Sequence, residues 1–242
     1  LSDQKLRVGF IIPGDKETTG GGFTLKKMIC EEVLCRQAMN HDATAIEYVF
    51  IEDCPGLARK FGLSRDHTFR IYPSLPLYYL LRYIKAFIAR VFPSRPALWS
   101  WSIVSPFRLK KLSKIVSVIW SLDTFILTHE VPTMVTVWDL QHRLQPYFPE
   151  FSRSSVWNFR ESSLSENIRR SFLCITGTRQ GANEIQMFYG IDESRIVVNP
   201  FPCPVSRTDS CSESLLKSLG LEKKQYIIYP AQYWPHKNHL TL

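Results

Sequence analysis

Short runs rich in β-branched and aromatic residues recur along this chain. Each is broken by Gly, Pro or a polar turn residue, and most are followed by helical apolar spacing. The segments 5–13 (KLRVGFIIP), 45–51 (AIEYVFI), 124–128 (TFILT), 135–137 (VTV), 172–176 (FLCIT), 195–198 (RIVV) and 225–230 (QYIIYP) read as strands. The segments 23–40, 77–92, 114–120, 154–170, 179–189 and 215–221 read as helices. Gly190 stops the helix at 179–189. Strands and helices in alternation predict an α/β fold with a doubly wound, mainly parallel sheet wrapped on both faces. At 45% hydrophobic and 21% charged, the chain has the apolar material that such a core needs.

The expected organisation is one Rossmann-like domain over residues 1–202. The Pro- and Ser-rich stretch 201–211 (FPCPVSRTDSC) then reads as a linker. Residues 203–242 hold that linker and the beginning of a second such domain, because strand, loop and helix start repeat the way the chain opens. Residues 1–5 lead straight into a strand with no signal-peptide pattern. The chain begins without Met and closes at Leu242 as a helix starts, so it is expected to be a piece of a longer protein. Six cysteines (Cys30, Cys35, Cys54, Cys174, Cys203, Cys211) show no CxxC pair and no metal spacing. Cys30, Cys35 and Cys174 fall in apolar element patterns, which predicts buried free thiols in a reducing compartment.

Residues 134–151 (MVTVWDLQHRLQPYFPEF) change character abruptly. A buried strand runs into Trp138-Asp139, and Asp139, Gln141, His142 and Arg143 crowd within five positions. Pro146 and Pro149 keep the next segment out of a regular helix. Ligands of open α/β sheets gather beyond the carboxyl ends of the strands, so this exit is a candidate site wall. The competing reading is a strand exit with a capping Asp and solvated neighbours.

Between His67 and Leu122 there is no Asp or Glu, while nine Lys and Arg residues fall there: Arg70, Arg82, Lys85, Arg90, Arg95, Arg108, Lys110, Lys111 and Lys114. The chain's net charge of +8 therefore belongs to this segment, which marks a surface that meets anions. Within it, 77–92 (LYYLLRYIKAFIARVF) is too interrupted by charge to span a bilayer. As a helix it places Arg82, Lys85 and Arg90 on one side, with Ala86 and Ala89. Leu80, Tyr83, Ile84, Phe87, Ile88 and Val91 lie on the other. Two readings stand: a helix that buries its apolar face in the core, or one that meets an anionic membrane with residues 67–122. A basic aromatic surface also suits single-stranded nucleic acid. No nucleic-acid-binding motif accompanies it, so nucleic acid is not an expected partner.

The loop at 14–22 ends in Gly20-Gly21-Gly22 before a helix. Glycines there let backbone amides approach a phosphate at a helix start. The spacing is not the GxGxxG fingerprint, which argues against a nucleotide-dependent epimerase or dehydrogenase.

Four stretches in this order resemble the retaining family 4 glycosyltransferases of bacterial surface-polysaccharide type, which have the two-domain GT-B fold. They are Gly20–Gly22, VWDLQHRLQPYFPEFS, CITGTRQGANEIQMFYGIDESRIVVNPFP and YIIYPAQYWPHKNHLTL. The resemblance implies transfer of a sugar, with retention, from a nucleotide-sugar donor to a lipid-linked or glycan acceptor in cell-surface polysaccharide synthesis. It implies that Lys237 neutralises the donor diphosphate, that Gly20, Gly21 and Gly22 approach the same diphosphate, and that Asp139 stands near the transferred sugar. His142 is placed as the companion of Asp139 toward the acceptor by proximity in sequence. No metal and no cofactor beyond the donor are implied, since a lysine and amides take the metal's part. The implied location is cytoplasmic, peripheral on the inner face of the plasma membrane.

Two departures from the pattern matter. Trp138 stands where many members have His. Near Ala231-Gln232 the family's Arg is absent, and Gln232 offers a hydrogen bond without charge. The family's paired glutamates are not found within these 242 residues. The alternative from another class is a non-catalytic α/β module that binds an acceptor or a membrane.

Overall fold

The computed structural model describes residues 5–12, 21–39, 46–64, 66–92, 103–153, 156–202, 213–222 and 225–242. The chain order of elements begins β1 (Leu6–Ile11), α1 (Gly21–Met39), β2 (Ile46–Glu52), α2 (Leu57–Lys60), β3 (Thr68–Arg70), α3 (Leu75–Val91) and α4 (Pro106–Leu112). It continues through β4 (Val118–Ser121), β5 (Thr133–Val137), α5 (Gln141–Leu144), α6 (Pro149–Ser152) and α7 (Val156–Arg170). Then come β6 (Leu173–Thr176), α8 (Arg179–Tyr189), β7 (Ile196–Val198) and α9 (Glu213–Ser218). The strands form one seven-stranded sheet in the order β3-β2-β1-β4-β5-β6-β7. Every neighbouring pair is parallel. This is a doubly wound, Rossmann-like α/β fold, as the alternation of elements predicts.

Alternating side chains of the strands feed opposite faces. Val8, Phe10 and Ile12 join Phe50 and pack against Phe23, Cys30 and Val33 of α1. Ile11, Ile51 and Ile119 go to the other face and meet Leu112 of α4 with Val116 and Val131. Farther along the sheet, Val135, Val137 and Cys174 pack against Ile168 of α7 and Ile185 and Tyr189 of α8. Thr178 caps α8 by accepting from Gly181 N (3.0 Å), and Gly190 ends it in the left-handed region at φ 64°. A Cβ at Gly181 would stand 2.5 Å from Thr176 Oγ1, so the missing side chain lets α8 start hard against the end of β6.

Several expectations needed correction. The segment 114–120 is not a helix: its Val118-Ile119-Trp120 is the central strand β4, hydrogen-bonded between β1 and β5. The segment 124–128 is not a strand. Its Phe125 and Leu127 pack on one core and Ile126 on another, as strand residues would, but β4 already holds the place beside β5. The segment 225–230 pairs with no strand among the described residues, and Ile227 is 90% exposed. A strand is stable only through its neighbours, and this one has none there. Cys30 and Cys174 are buried free thiols, but Cys35 is exposed. Cys203 and Cys211 lie outside the described residues.

The helix α3 also settles one of the two readings of its apolar face. Tyr78, Leu81, Lys85, Ile88 and Ala89 turn toward the body of the protein, while Leu77, Leu80, Tyr83, Ile84, Phe87 and Val91 are exposed. The apolar stripe is not core. No helix among the described residues is long and apolar enough to cross a membrane.

Candidate functional site

The strand order reverses between β1 and β4, so their connections leave in opposite directions and a crevice opens at their carboxyl ends. Three side chains from separate elements meet there. Lys26 of α1 is 4% exposed and donates to Asp123 Oδ2 at 2.6 Å, just beyond β4. Trp138, just beyond β5, donates its indole N–H to Leu122 O (3.0 Å) and Asp123 Oδ1 (3.1 Å). Lys26 Nζ also lies over the Trp138 ring, 5.8 Å from its centroid. Phe201 packs on the same indole with ring centroids 4.6 Å apart. A Cβ at Gly177 would lie 2.7 Å from the Phe201 ring, so glycine is what lets that ring close down.

Trp138 and Asp139 form the shared wall of two pockets. The larger, about 520 Å³, is also lined by Gln141, Thr176, Thr178, Gln180 and Glu184. The smaller, about 260 Å³, is also lined by Asp123, Thr124, Phe159 and Arg160. The Asp139 side chain is 44% exposed. Its Oδ1 accepts from Gln141 N (3.0 Å) and from Arg160 Nη2 (2.8 Å). The carboxylate thus makes the turn out of β5 and still borders both pockets.

His142 is placed differently from Asp139. It is 0% exposed and borders neither pocket. Its Nε2 lies 3.0 Å from Glu161 Oε2 on α7. Arg143 also holds Glu161, through Nε at 2.8 Å and through Nη2, and the Tyr189 hydroxyl donates to it at 3.2 Å. These donors, Arg143 foremost, pull the Glu161 carboxyl down to about 2. Burial pushes the Tyr189 phenol up to about 12, and the Glu161 charge adds to this. Burial holds the His142 imidazole below its ordinary value. An ionised Glu161 only accepts, so Nε2 carries the proton and Nδ1 is left as a buried acceptor without a partner. This His is a strut between α5 and α7, not a companion of Asp139.

The glycine run divides. Gly20 lies outside the described residues. Gly21 and Gly22 form the first turn of α1, two residues earlier than the apolar spacing suggests. Nothing stands within 4 Å of a Cβ placed on Gly22, so packing does not require glycine there. Gln232 is exposed and accepts from Trp234 Nε1 at 2.6 Å. Lys237 is half-buried in a short 3-10 turn, Pro235–Lys237, and its carbonyl accepts from the Tyr229 hydroxyl (3.0 Å). This segment is joined to α6 by His236, whose Nδ1 and backbone N both meet Glu150 Oε1 (2.5 and 3.1 Å). Neither Gln232 nor Lys237 lines the two pockets at Asp139.

Sequence reasoning missed Lys26 and Asp123. A signal existed for the first: Lys26 falls in the buried stripe of α1 with Phe23, Cys30 and Val33, where a charge needs a partner. Among the described residues, no group of three or more His, Cys, Asp or Glu side chains is arranged to hold a metal ion.

Fold and crevice together define a parallel, doubly wound α/β domain with a polar, aromatic-walled site at the carboxyl ends of its strands. No protein-family model matches the chain, and no curated protein matches it.

Proposed function

We propose that this chain carries the acceptor side of a glycosyltransferase that moves a sugar, with retention, from a nucleotide donor to a glycan or lipid-linked acceptor. The observation that carries the reading is the Trp138-Asp139 exit of β5, with a carboxylate and an indole standing between two pockets at the ligand-binding end of the sheet. An aromatic wall beside hydroxyl and carboxamide groups suits a sugar ring, whose apolar face stacks and whose hydroxyls hydrogen-bond. Lys237 would supply the cation that favours departure of the nucleoside diphosphate, because that group gains charge as its bond to the sugar breaks.

The test is a screen of nucleotide sugars for hydrolysis and transfer with the full-length protein, repeated with two variants. Asp139→Asn keeps an Oδ1 that accepts from Gln141 N, so the turn survives, and the lost charge pairing between the 44%-exposed Asp139 and half-buried Arg160 costs about 1 kcal/mol of stability. Its turnover is expected to fall by about tenfold or more while the melting temperature moves little. Lys237→Ala is expected to lower transfer by about tenfold, the equivalent of roughly 1.4 kcal/mol in a sheltered charge contact. Activity lost only in step with stability, or no reaction with any donor, removes the reading.

A second reading is favoured by the bonds of Asp139 to Gln141 and Arg160 and by the burial of His142: a binding module without catalysis. In that case acceptor glycans bind, no donor is hydrolysed, and Asp139→Asn changes only stability.

A further inference from the structure

The helix α3 departs from the rest of the fold in what it leaves in water. Its outward residues Leu77, Leu80, Ile84, Phe87 and Val91 fall at alternating spacings of three and four, so they make one continuous stripe along the helix. Leu80 is 56% exposed and Phe87 60%, and Tyr83, beside the stripe, is 73% exposed. A folded chain rarely leaves a contiguous apolar stripe of this kind uncovered unless something binds it.

The charge around the stripe says what covers it. Arg90 is exposed and lies about a quarter-turn from the stripe, on the flank that also carries Tyr79 and Tyr83, whereas exposed Arg82, two residues from both Leu80 and Ile84, lies on the opposite side of the helix. Lys85, by contrast, turns toward the body of the protein. The helix sits within the stretch 67–122, which contains no Asp or Glu. A second copy of the same helix would set like charges against each other and offer no acid to either. A phospholipid surface offers both halves of the match: acyl chains for Leu and Phe, phosphates for Arg, and the boundary level for Tyr. At 17 residues with Arg90 on one flank, α3 suits lying in the plane of the interface. It leaves the carboxyl end of β3, the same end of the parallel sheet as the Asp139 pockets.

We propose that the outward face of α3 docks on an anionic membrane surface, with Leu80, Ile84 and Phe87 entering the acyl boundary and Arg90 on the lipid phosphates. This stands independently of the transferase reading, because bare vesicles contain no sugar acceptor.

The test is co-sedimentation of the intact protein with phosphatidylcholine vesicles, with and without phosphatidylglycerol, at low and high salt. Binding is expected only with phosphatidylglycerol. It should weaken as salt rises yet leave a residue, since screening removes the charge contribution and not the apolar one. Leu80→Glu with Phe87→Glu is expected to lower binding by about tenfold or more at both salts. Arg90→Glu is expected to lower it by about fivefold at low salt and less at high salt, and Arg82→Glu, on the opposite side of the helix, to change it less. All four side chains are exposed, so melting curves should stay near wild type; Phe87→Ser alone gives the same readout if the double variant fails to fold. Equal binding to neutral and anionic vesicles overturns the proposal. So does absence of binding to either. A concentration-dependent dimer that Leu80→Glu with Phe87→Glu converts to monomer, without vesicle binding, assigns the face to a second copy instead.

Discussion

In α8 the apolar side chains of Ala182, Ile185 and Tyr189 face the sheet, and Ile185 is completely buried. In α3 the stripe of Leu77, Leu80, Ile84 and Phe87 faces water. Both helices are amphipathic, and period alone assigns both stripes to a core. The difference lies in what each has to pack on. Beneath α8 are Val135, Val137 and Cys174 from two adjacent strands, with Ile168 from α7 alongside. The helix α3 leaves the edge strand β3, which is three residues long and, among the described residues, has a neighbour on one side only. It holds to the body through Tyr78, which packs edge-on against Tyr72 at 5.7 Å, and through the half-buried Leu81, Lys85 and Ile88. An amphipathic pattern fixes that one face is apolar, and the sheet decides whether the fold covers it.

The sharpest way to break this comparison is a matched pair of truncations. Ile185→Ala should cost about 2–5 kcal/mol, the usual range for emptying a buried aliphatic site. Leu80→Ala should stay within about 0.5 kcal/mol of wild type, because that side chain is already in water and Ala favours a helix. Urea midpoints measure both, and comparable losses at the two sites would mean that the α3 stripe is packed.

A second experiment probes how the α8 side is locked. Glu161 of α7 receives Arg143, His142 and the Tyr189 hydroxyl of α8, so Glu161→Gln strips the charge that three donors share. The expected loss is about 2–3 kcal/mol, as for a mostly buried ion pair left with one member. Nothing similar is expected from Arg82→Gln in α3, where the exposed guanidinium faces solvent.

The smallest effect is a pH dependence, and both groups act in the same direction. The folded protein holds His142 below its ordinary value, so as pH falls below about 6.5 the unfolded chain takes up a proton that the folded one refuses. Stability therefore decreases on acidification from that point. Glu161, held down to about 2, adds a second loss as pH falls from its ordinary 4.5 toward 2. Melting curves of wild type and His142→Gln should run in parallel above about pH 7 and separate as pH falls below about 6.5, where the wild type alone loses stability to this group. Identical slopes would show that His142 titrates as it does in an unfolded chain.

The candidate site was legible in part. The abrupt polar turn after the strand at 135–137 pointed to Trp138 and Asp139, and both border the pockets. His142, three residues on, looked equivalent in sequence. The short helix α5 carries it inward to Glu161, and no local pattern announces an acid nineteen positions away. Lys26 and Asp123 meet across 97 positions of chain. The segment 225–230 has every mark of a strand and is not one here, since the mark is composition and the strand is a partnership.

The sequence by itself determined the alternation of strands and helices, the Thr178 cap and Gly190 stop of α8, the acid-free segment, and the amphipathic character of α3. Each depends on residues within a turn or two of one another, where backbone preference and side-chain period act directly. The tertiary structure alone decided that 118–121 takes the central place beside β1, that β1 and β4 flank a crevice, that Lys26, Asp123 and Trp138 converge at its mouth, and that the apolar stripe of α3 turns outward. Those outcomes depend on which surfaces remain uncovered after the sheet has assembled. That is a property of distant neighbours, and a residue's own surroundings in the chain do not carry it.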